Sequence, residues 1–323
     1  MFQASRAAWR ARLRIEAAVV LITLIAMVAV PATARAATGD GHGVDHRAGA
    51  GHRTARSAVD PTPSGKPKYR DPWAIPGPAV FFECDNTHRS NNDPIVYPRR
   101  PGQSHRHVFF GSRRSNAFST LKSLLAGRSG CDDGRNTSAY WFPEPRLPNG
   151  RRATIWNRTR VYYMKAGLRR VKPIPHGLRM IAGSMDDALV PGEAGFVCRP
   201  VKRPGRNGMP TGGRRRTRCP KGSNLGVSVV FPNCWNGRDL DAPDHRSHMR
   251  YAKGRTCPKG WVPLPQIRVS VSTFKGTWRG HLASGGPRSI HADVIAAPQP
   301  GLMRDVVGCL NGTRGCPKNS FGL

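Results

Sequence analysis

From about Gly77 onward, short runs of bulky residues alternate with polar ones and break at Pro and Gly. The runs are Ala79–Glu83 (AVFFE), His105–Phe110 (HRHVFF), Thr159–Met164 (TRVYYM), Leu178–Ala182 (LRMIA), Leu225–Phe231 (LGVSVVF), Gln266–Ser272 (QIRVSVS) and Ile290–Ile295 (IHADVI). Period-two alternation over such lengths marks half-buried strands, and the Pro and Gly clusters between them read as turns. Helical candidates are few and short: Ser119–Ala126 and Gly301–Asn311. The pattern predicts a mainly β, single-domain fold over residues 77–323. It would be a β-sandwich or jelly-roll-like architecture with long loops and few short helices.

Before Gly77 the character changes twice. Arg6, Arg10, Arg12 and Arg14 precede an apolar run of 14 residues, Ala17 to Val30, which leads to an A-x-A site at Ala34 to Ala36. That is the layout of a cleaved secretory signal over residues 1–36, too short to span a bilayer that needs about 20 apolar residues. Residues 37–76 are rich in Gly, Ala, Arg and Pro and nearly free of bulky apolar side chains, so they read as a disordered linker. Its histidines, His42, His46 and His52, read as solvated.

Charge narrows the partners. The chain carries 52 Lys and Arg against 19 Asp and Glu, a net +33. Loss of residues 1–36 removes five arginines and one glutamate, leaving 47 basic and 18 acidic residues, a net +29. Such a surface favours an anionic polymer: cell-wall polysaccharide, other acidic glycan, or nucleic acid. The loop Arg199–Arg218 is basic without interleaved aromatics, which argues against a stacking platform for bases. All eight cysteines lie beyond the leader and none forms C-x-x-C, so disulfides are expected and an extracellular or cell-wall location with them. Sequence neighbours suggest Cys198–Cys219, Cys234–Cys257 and Cys309–Cys316. No transmembrane segment is expected after signal cleavage.

Three segments concentrate groups able to do chemistry. His105 and His107 stand one residue apart, so both imidazoles share a strand face, with Asp93 upstream. Asp241, Asp244, His245 and His248 crowd DLDAPDHRSHM, and a helical turn would set His245 and His248 on one side. His291 and Asp293 share a strand face in SIHAD. Imidazole with carboxylate is the ligand set of divalent metal sites, with Zn, Mn or Ca as candidates. The same groups without metal can serve as general acid and base. His105, His107, His245, His248, Asp93 and Asp244 are the catalytic candidates. His105, His107, His245, His248, His291 and Asp293 are the overlapping metal candidates. No G-x-S-x-G, H-E-x-x-H or P-loop occurs, and no dinucleotide-binding fingerprint, which disfavours serine hydrolases, zincins, NTPases and nicotinamide enzymes.

Read in order, NNDPIVYP, SHRHVFFG, SAYWFP, GLRMIAG, VVFPNCWNGRDLDAPDHRSHMRY, CPKGWVPLPQI and SIHADVI resemble a known family. It is a secreted family of actinobacteria and filamentous fungi, the domain of unknown function numbered nineteen ninety-six. Some fungal members carry WSC carbohydrate-binding modules. The likeness runs from about Phe81 to Cys309 and implies export, one domain and a link with cell walls or polysaccharides. Its polar signature falls on Asp93, His105, His107, Asp244, His245, His248, His291 and Asp293. Asn236 stands where the family usually has Asp, and VIAAPQP replaces an aromatic Asn-Gly-Trp phrase after Asp293.

Three readings follow. The first is an exported enzyme that cleaves a polysaccharide or cell-wall glycan by hydrolysis or elimination at a His/Asp site. The second is a non-catalytic glycan-binding protein, with Tyr140, Trp141, Trp156, Tyr162, Tyr163, Trp235 and Trp261 as stacking candidates. The third is a secreted nuclease, the least favoured.

Overall fold

The computed structural model describes residues 77–321 apart from 156, 190–191, 201–208, 211–216, 220–222 and 276. The expected leader 1–36, the linker 37–76, Trp156 and most of the basic loop 199–218 lie outside these residues.

The architecture is mainly β. Nine strands carry it: β1 (Ala79–Ser90), β2 (His107–Gly111), β3 (Ala139–Pro143), β4 (Arg158–Met164), β5 (Arg179–Gly183), β6 (Ala194–Pro200), β7 (Ser223–Val230), β8 (Gln266–Lys275) and β9 (His291–Ile295). They lie in one antiparallel sheet in the order β5-β9-β3-β2-β1-β4-β8-β7-β6, with the short strands Met209–Pro210 and Ser320–Phe321 added at β6 and β1. The long strand β1 makes the sheet fold over. Ala79 to Asp85 pair with β4, whereas Asn86 to Ser90 pair with β2 across a register shift between Asn86 and His88. A bulge of this kind bends its strand and strengthens the local twist. The two halves face each other, and β5, at one end of the order, returns against β7 near the other.

Alternation fills the space between the halves. Val80, Phe82 and Cys84 of β1, Val108 and Phe110 of β2, Tyr140 and Phe142 of β3, and Ala292 and Val294 of β9 meet Val161 and Tyr163 of β4, Leu225, Val227 and Val229 of β7, and Ile267, Val269 and Val271 of β8. Two helices flank the sheet. The first, α1 (Leu121–Leu125), is started by a capping box in which Thr120 and Ser123 exchange side-chain to backbone hydrogen bonds. The second, α2 (Leu302–Asn311), ends at Gly312 in the left-handed conformation. Both match the two predicted segments to within a residue or two at each end.

The strand predictions differ from the structure in two ways. β2 starts at His107, so His105 approaches on a loop. Strands β3 and β6 were not among the predicted runs. β3 (AYWFP) is buried and bulky or apolar at every position, so its sequence carries no polar residue to mark an alternation. Tyr140, Trp141 and Tyr163 are core residues, so their rings are not free to stack on a sugar. The three expected disulfides form, and the remaining pair is Cys84–Cys131. Among the described residues, no helix is long and apolar enough to cross a membrane.

A buried histidine and aspartate centre

Asp93, His105, His107, His291 and Asp293 converge on the outer face of β2, β3, β9 and β5, the face turned away from the main core. Register decides this. Phe109 pairs with Trp141, Trp141 with Asp293, and Asp293 with Ile181, so these four side chains form a row across the sheet. His107 lies two residues before Phe109 and His291 two residues before Asp293, which aligns the two imidazoles beside that row. The chain from residue 91 to 106 folds over this face. Ile95, held with Leu124, Phe109, Trp141, Ile181 and Ile295 in a second apolar cluster, seats the segment and carries Asp93 and His105 inward. Gly183, paired with His291, has φ +81°, and a Cβ there would collide with the Ile290 carbonyl.

The result is three imidazoles and two carboxylates in one place. Ring centroids are 4.2 Å apart for His105 and His107, 5.0 Å for His105 and His291, and 5.9 Å for His107 and His291. Ligand-capable atoms of His105, His107 and His291 lie within 4.8 Å of one another, as do those of Asp93, His107 and Asp293. His107 donates from Nδ1 to the Asn92 carbonyl at 3.0 Å, and His291 directs Nδ1 at the Ser289 carbonyl at 3.3 Å. With Nδ1 engaged, Nε2 is the nitrogen that keeps a free lone pair, the arrangement metal-binding histidines use. Nε2 of His105 and His107 and Oδ2 of Asp293 are buried without a hydrogen-bond partner among the described residues. His291 Nε2 and Asp293 Oδ2 are 4.0 Å apart.

Asp93 is more committed. Its Oδ1 accepts from the backbone N–H groups of Ile95 and Val96, both at 2.9 Å, and the Trp141 indole lies against the same carboxylate. It therefore anchors the covering segment and presents less free oxygen to a ligand than Asp293 does.

Electrostatics tell the same story. Burial pushes the His105 pKa down to about 4 and, with the neighbouring His105, takes His291 down to about 3. Burial and the facing His105 and His291 hold His107 well below the ordinary value. These imidazoles are neutral near pH 7. Burial raises Asp293 well above the ordinary carboxyl range, and the nearby Asp93 adds to it; Asp93 itself is raised, chiefly by burial. Neutral imidazoles beside two carboxyl groups that resist shared negative charge form a site short of positive charge.

The other candidates are placed apart. His245 bonds through Nδ1 to Asp241 Oδ1 at 2.9 Å and sits at φ +56°, close enough that its charge acts on Asp93. His248 donates from Nε2 to the Arg179 carbonyl at 2.7 Å. Residues 242–248 form turns, not a helix, so these two rings do not share a face. Exposed Asp244 accepts from the backbone N–H groups of Arg246 and Ser247, which takes its carboxyl down to about 2. It shapes the turn. Sequence reasoning passed over Glu144, buried on the opposite face and ion-paired to Arg89, Arg146 and Arg106 at 3.2, 3.3 and 3.7 Å. It braces Arg106, which separates the two leading histidines. Two of its three partners, Arg89 and Arg106, come from distant segments, so local sequence does not mark it.

Fold and centre together define a disulfide-bonded, mainly β protein with a buried His/Asp cluster on the back of its sheet. The chain belongs to the family described as Domain of unknown function (DUF1996), whose family model matches residues 93–297, from the first aspartate of the centre to just past the last. No curated protein and no solved structure matches it.

Proposed function

We propose that this is an exported, metal-dependent enzyme that cleaves a polysaccharide or cell-wall glycan, with His105, His107, His291 and Asp293 holding one divalent ion. The observation that carries the reading is the set of buried, unpartnered lone pairs on His105, His107 and Asp293, converging with His291. Unpaired buried polar atoms are costly, and a cation that accepts all of them removes the cost. His107 belongs to both ligand groups but has only Nε2 to give, since Nδ1 is spent on Asn92, so one ion and not two is expected. Three imidazoles with one carboxylate suit Zn or Mn; Ca prefers an all-oxygen shell.

A divalent ion at such a centre supplies Lewis-acid polarisation or an activated water. The chain adds a proton-transfer pair: Asp241 orients His245 through Nδ1, which leaves Nε2 to exchange protons. Asp93 and Asp293 fit poorly as a glycosidase carboxylate pair. Asp93 is bound to its own turn through Oδ1, and both carboxyl groups are buried. Four disulfides support export, and the basic surface supports an anionic polymer as partner. The burial of Tyr140, Trp141 and Tyr163 weighs against a stacking-based binding module.

Elemental analysis of the purified mature domain tests the centre. Near-stoichiometric Zn or Mn is expected, lost in the His105→Ala/His107→Ala variant while circular dichroism stays native. Glycan cleavage should then appear in the metal-loaded protein and vanish with chelator. A metal-free protein that takes up no ion when offered Zn or Mn would remove the basis of the reading.

A further inference from the structure

The strand edge beside the centre carries an arginine that neither the motif pattern nor the metal site explains. Arg246 donates from one terminal nitrogen to the Gly183 carbonyl at 3.0 Å and directs the other at the Ile181 carbonyl at 3.5 Å. Those two residues are the cross-strand partners of His291 and Asp293. The guanidinium is thus fixed one strand beyond two of the metal-ligand candidates, and its charge acts on both. Its own turn is pinned from below by Asp244, which accepts from the Arg246 N–H at 3.0 Å. Arg246 is exposed and forms no ion pair within 4.0 Å among the described residues, although its charge also acts on Glu193 and Tyr251. Arg179, by contrast, is paired with Asp241 at 3.3 Å. Two carbonyl bonds use two of the five N–H donors of a guanidinium, so part of the fork remains for a ligand.

We propose that Arg246 is a specificity-determining residue that binds an anionic substituent of the substrate, so that the glycan cleaved at the His/Asp centre is an acidic one. The inference rests on the glycan reading above and narrows it. An arginine oriented by backbone carbonyls is pre-set for the planar, two-point recognition of an oxyanion, and its placement would hold that group next to the sugar bond presented to the centre. The two sources of such an oxyanion are a uronate carboxylate and a sulfate ester. Both offer paired oxygens to the same fork.

The test uses the metal-loaded mature protein with polygalacturonate, a sulfated galactan that lacks uronate (carrageenan), a neutral β-glucan and plasmid DNA. Cleavage is followed by new reducing ends, or by nicking for DNA. Arg246→Gln is compared with Arg246→Lys and with Arg255→Gln, an exposed arginine away from the centre that controls for overall charge. Cleavage of polygalacturonate or carrageenan is expected, and which of them is cut names the oxyanion. Loss of a charge-assisted bond should raise KM roughly ten- to a hundredfold in Arg246→Gln with a much smaller change in kcat, Lys lying between. Calorimetric binding of the cleaved polymer should weaken by the same factor, while the metal-loaded protein keeps its stoichiometric metal and its native circular dichroism. Preferred cleavage of the neutral glucan, or an acidic glycan cut equally well by Arg246→Gln, overturns this inference and leaves the metal-dependent glycan enzyme standing. Cleavage of DNA alone, or of no polymer despite bound metal, overturns both.

Discussion

Asp293 has the least favourable surroundings of any carboxylate in the centre. It is buried on β9, one of its oxygens has no hydrogen-bond partner among the described residues, and a second carboxylate stands close by. Replacing it by Asn keeps the shape and removes the buried acid. Asp293→Asn should therefore leave the metal-free protein as stable as before or slightly more so, and should abolish the stabilisation that added metal gives. For the parent that stabilisation is about 2.7 kcal/mol at a hundredfold excess over Kd. Thermal melts with and without Zn read both effects, and a variant that still gains stability from Zn would exclude Asp293 as a ligand. Protonation follows from the same burial. The pKa of Asp293 is raised, so an ion that needs the carboxylate must expel a proton, and affinity should climb with pH up to that raised pKa. Calorimetry in buffers of different ionisation heat would detect the proton. The imidazoles act on folding in the opposite sense to Asp293. His105 titrates at about 4 and His291 at about 3 when folded, against about 6.5 unfolded, so the folded state binds fewer protons in between. Their contribution is complete above pH 6.5 and is lost as pH falls toward 4 and 3; the raised carboxyls partly offset this as they regain protons. Metal-free protein should lose stability on acidification through this window, and His291→Gln should flatten that slope.

The elements that hold these residues were legible to differing degrees. β1, β2, β4, β5, β7, β8 and β9 each start from a short apolar-rich run, several with period-two patterning, and strand periodicity already put His105 with His107 and His291 with Asp293 on shared faces. It could not say that the two faces are the same one. That depends on β9 entering the sheet next to β3, a pairing between segments some 150 residues apart in sequence that no local signal encodes. Strand β3 was hidden because AYWFP has no polar residue to mark an alternation, whereas β2 and β9, buried as fully, keep a His or an Asp. The grouping of His245 with His248 reflected helical spacing, whereas Pro243 and the Asp244 turn direct that segment into a loop with His245 left-handed. Arg246 was invisible because its partners are backbone carbonyls, which carry no sequence signature. Gly183 shows how an element constrains the centre. It ends β5 opposite His291, at positive φ and against the Ile290 carbonyl, so Gly183→Ala combines backbone strain with a backbone collision. Gly167 has φ +76° and nothing within 4 Å of the added Cβ, so alanine there meets the strain alone. Urea denaturation should show Gly167→Ala costing about 1 kcal/mol and Gly183→Ala clearly more, about 2–3 kcal/mol. Equal losses would mean that β5 and the segment before β9 yield freely, and that the His291 backbone is not held as tightly as its register implies.

At the level of the molecule, β1 joins everything. Its first half builds one side of the folded sheet, its second half borders the side that bears the centre, and Cys84 near the bend is bonded to Cys131. The disulfides differ in what they restrict. Cys84–Cys131 closes 47 residues, including β2, α1 and the loop that supplies Asp93 and His105, whereas Cys309–Cys316 closes 7 residues from the last turn of α2. In the chain-entropy account a cross-link stabilises by limiting the unfolded ensemble, and the effect grows with the logarithm of the loop. The first bond should contribute about 4 kcal/mol and the last about 2.4 kcal/mol. Two double variants, Cys84→Ala/Cys131→Ala and Cys309→Ala/Cys316→Ala, separate entropy from function. Both should unfold at lower urea than the parent, the first by the larger margin, and the first alone should lose metal affinity, because the segment over the outer face is freed at one end. A large stability loss in the first variant with Zn affinity intact would place the rigidity of the centre in the second apolar cluster around Ile95 and Trp141. Mild reduction would then unfold the protein without first opening its site.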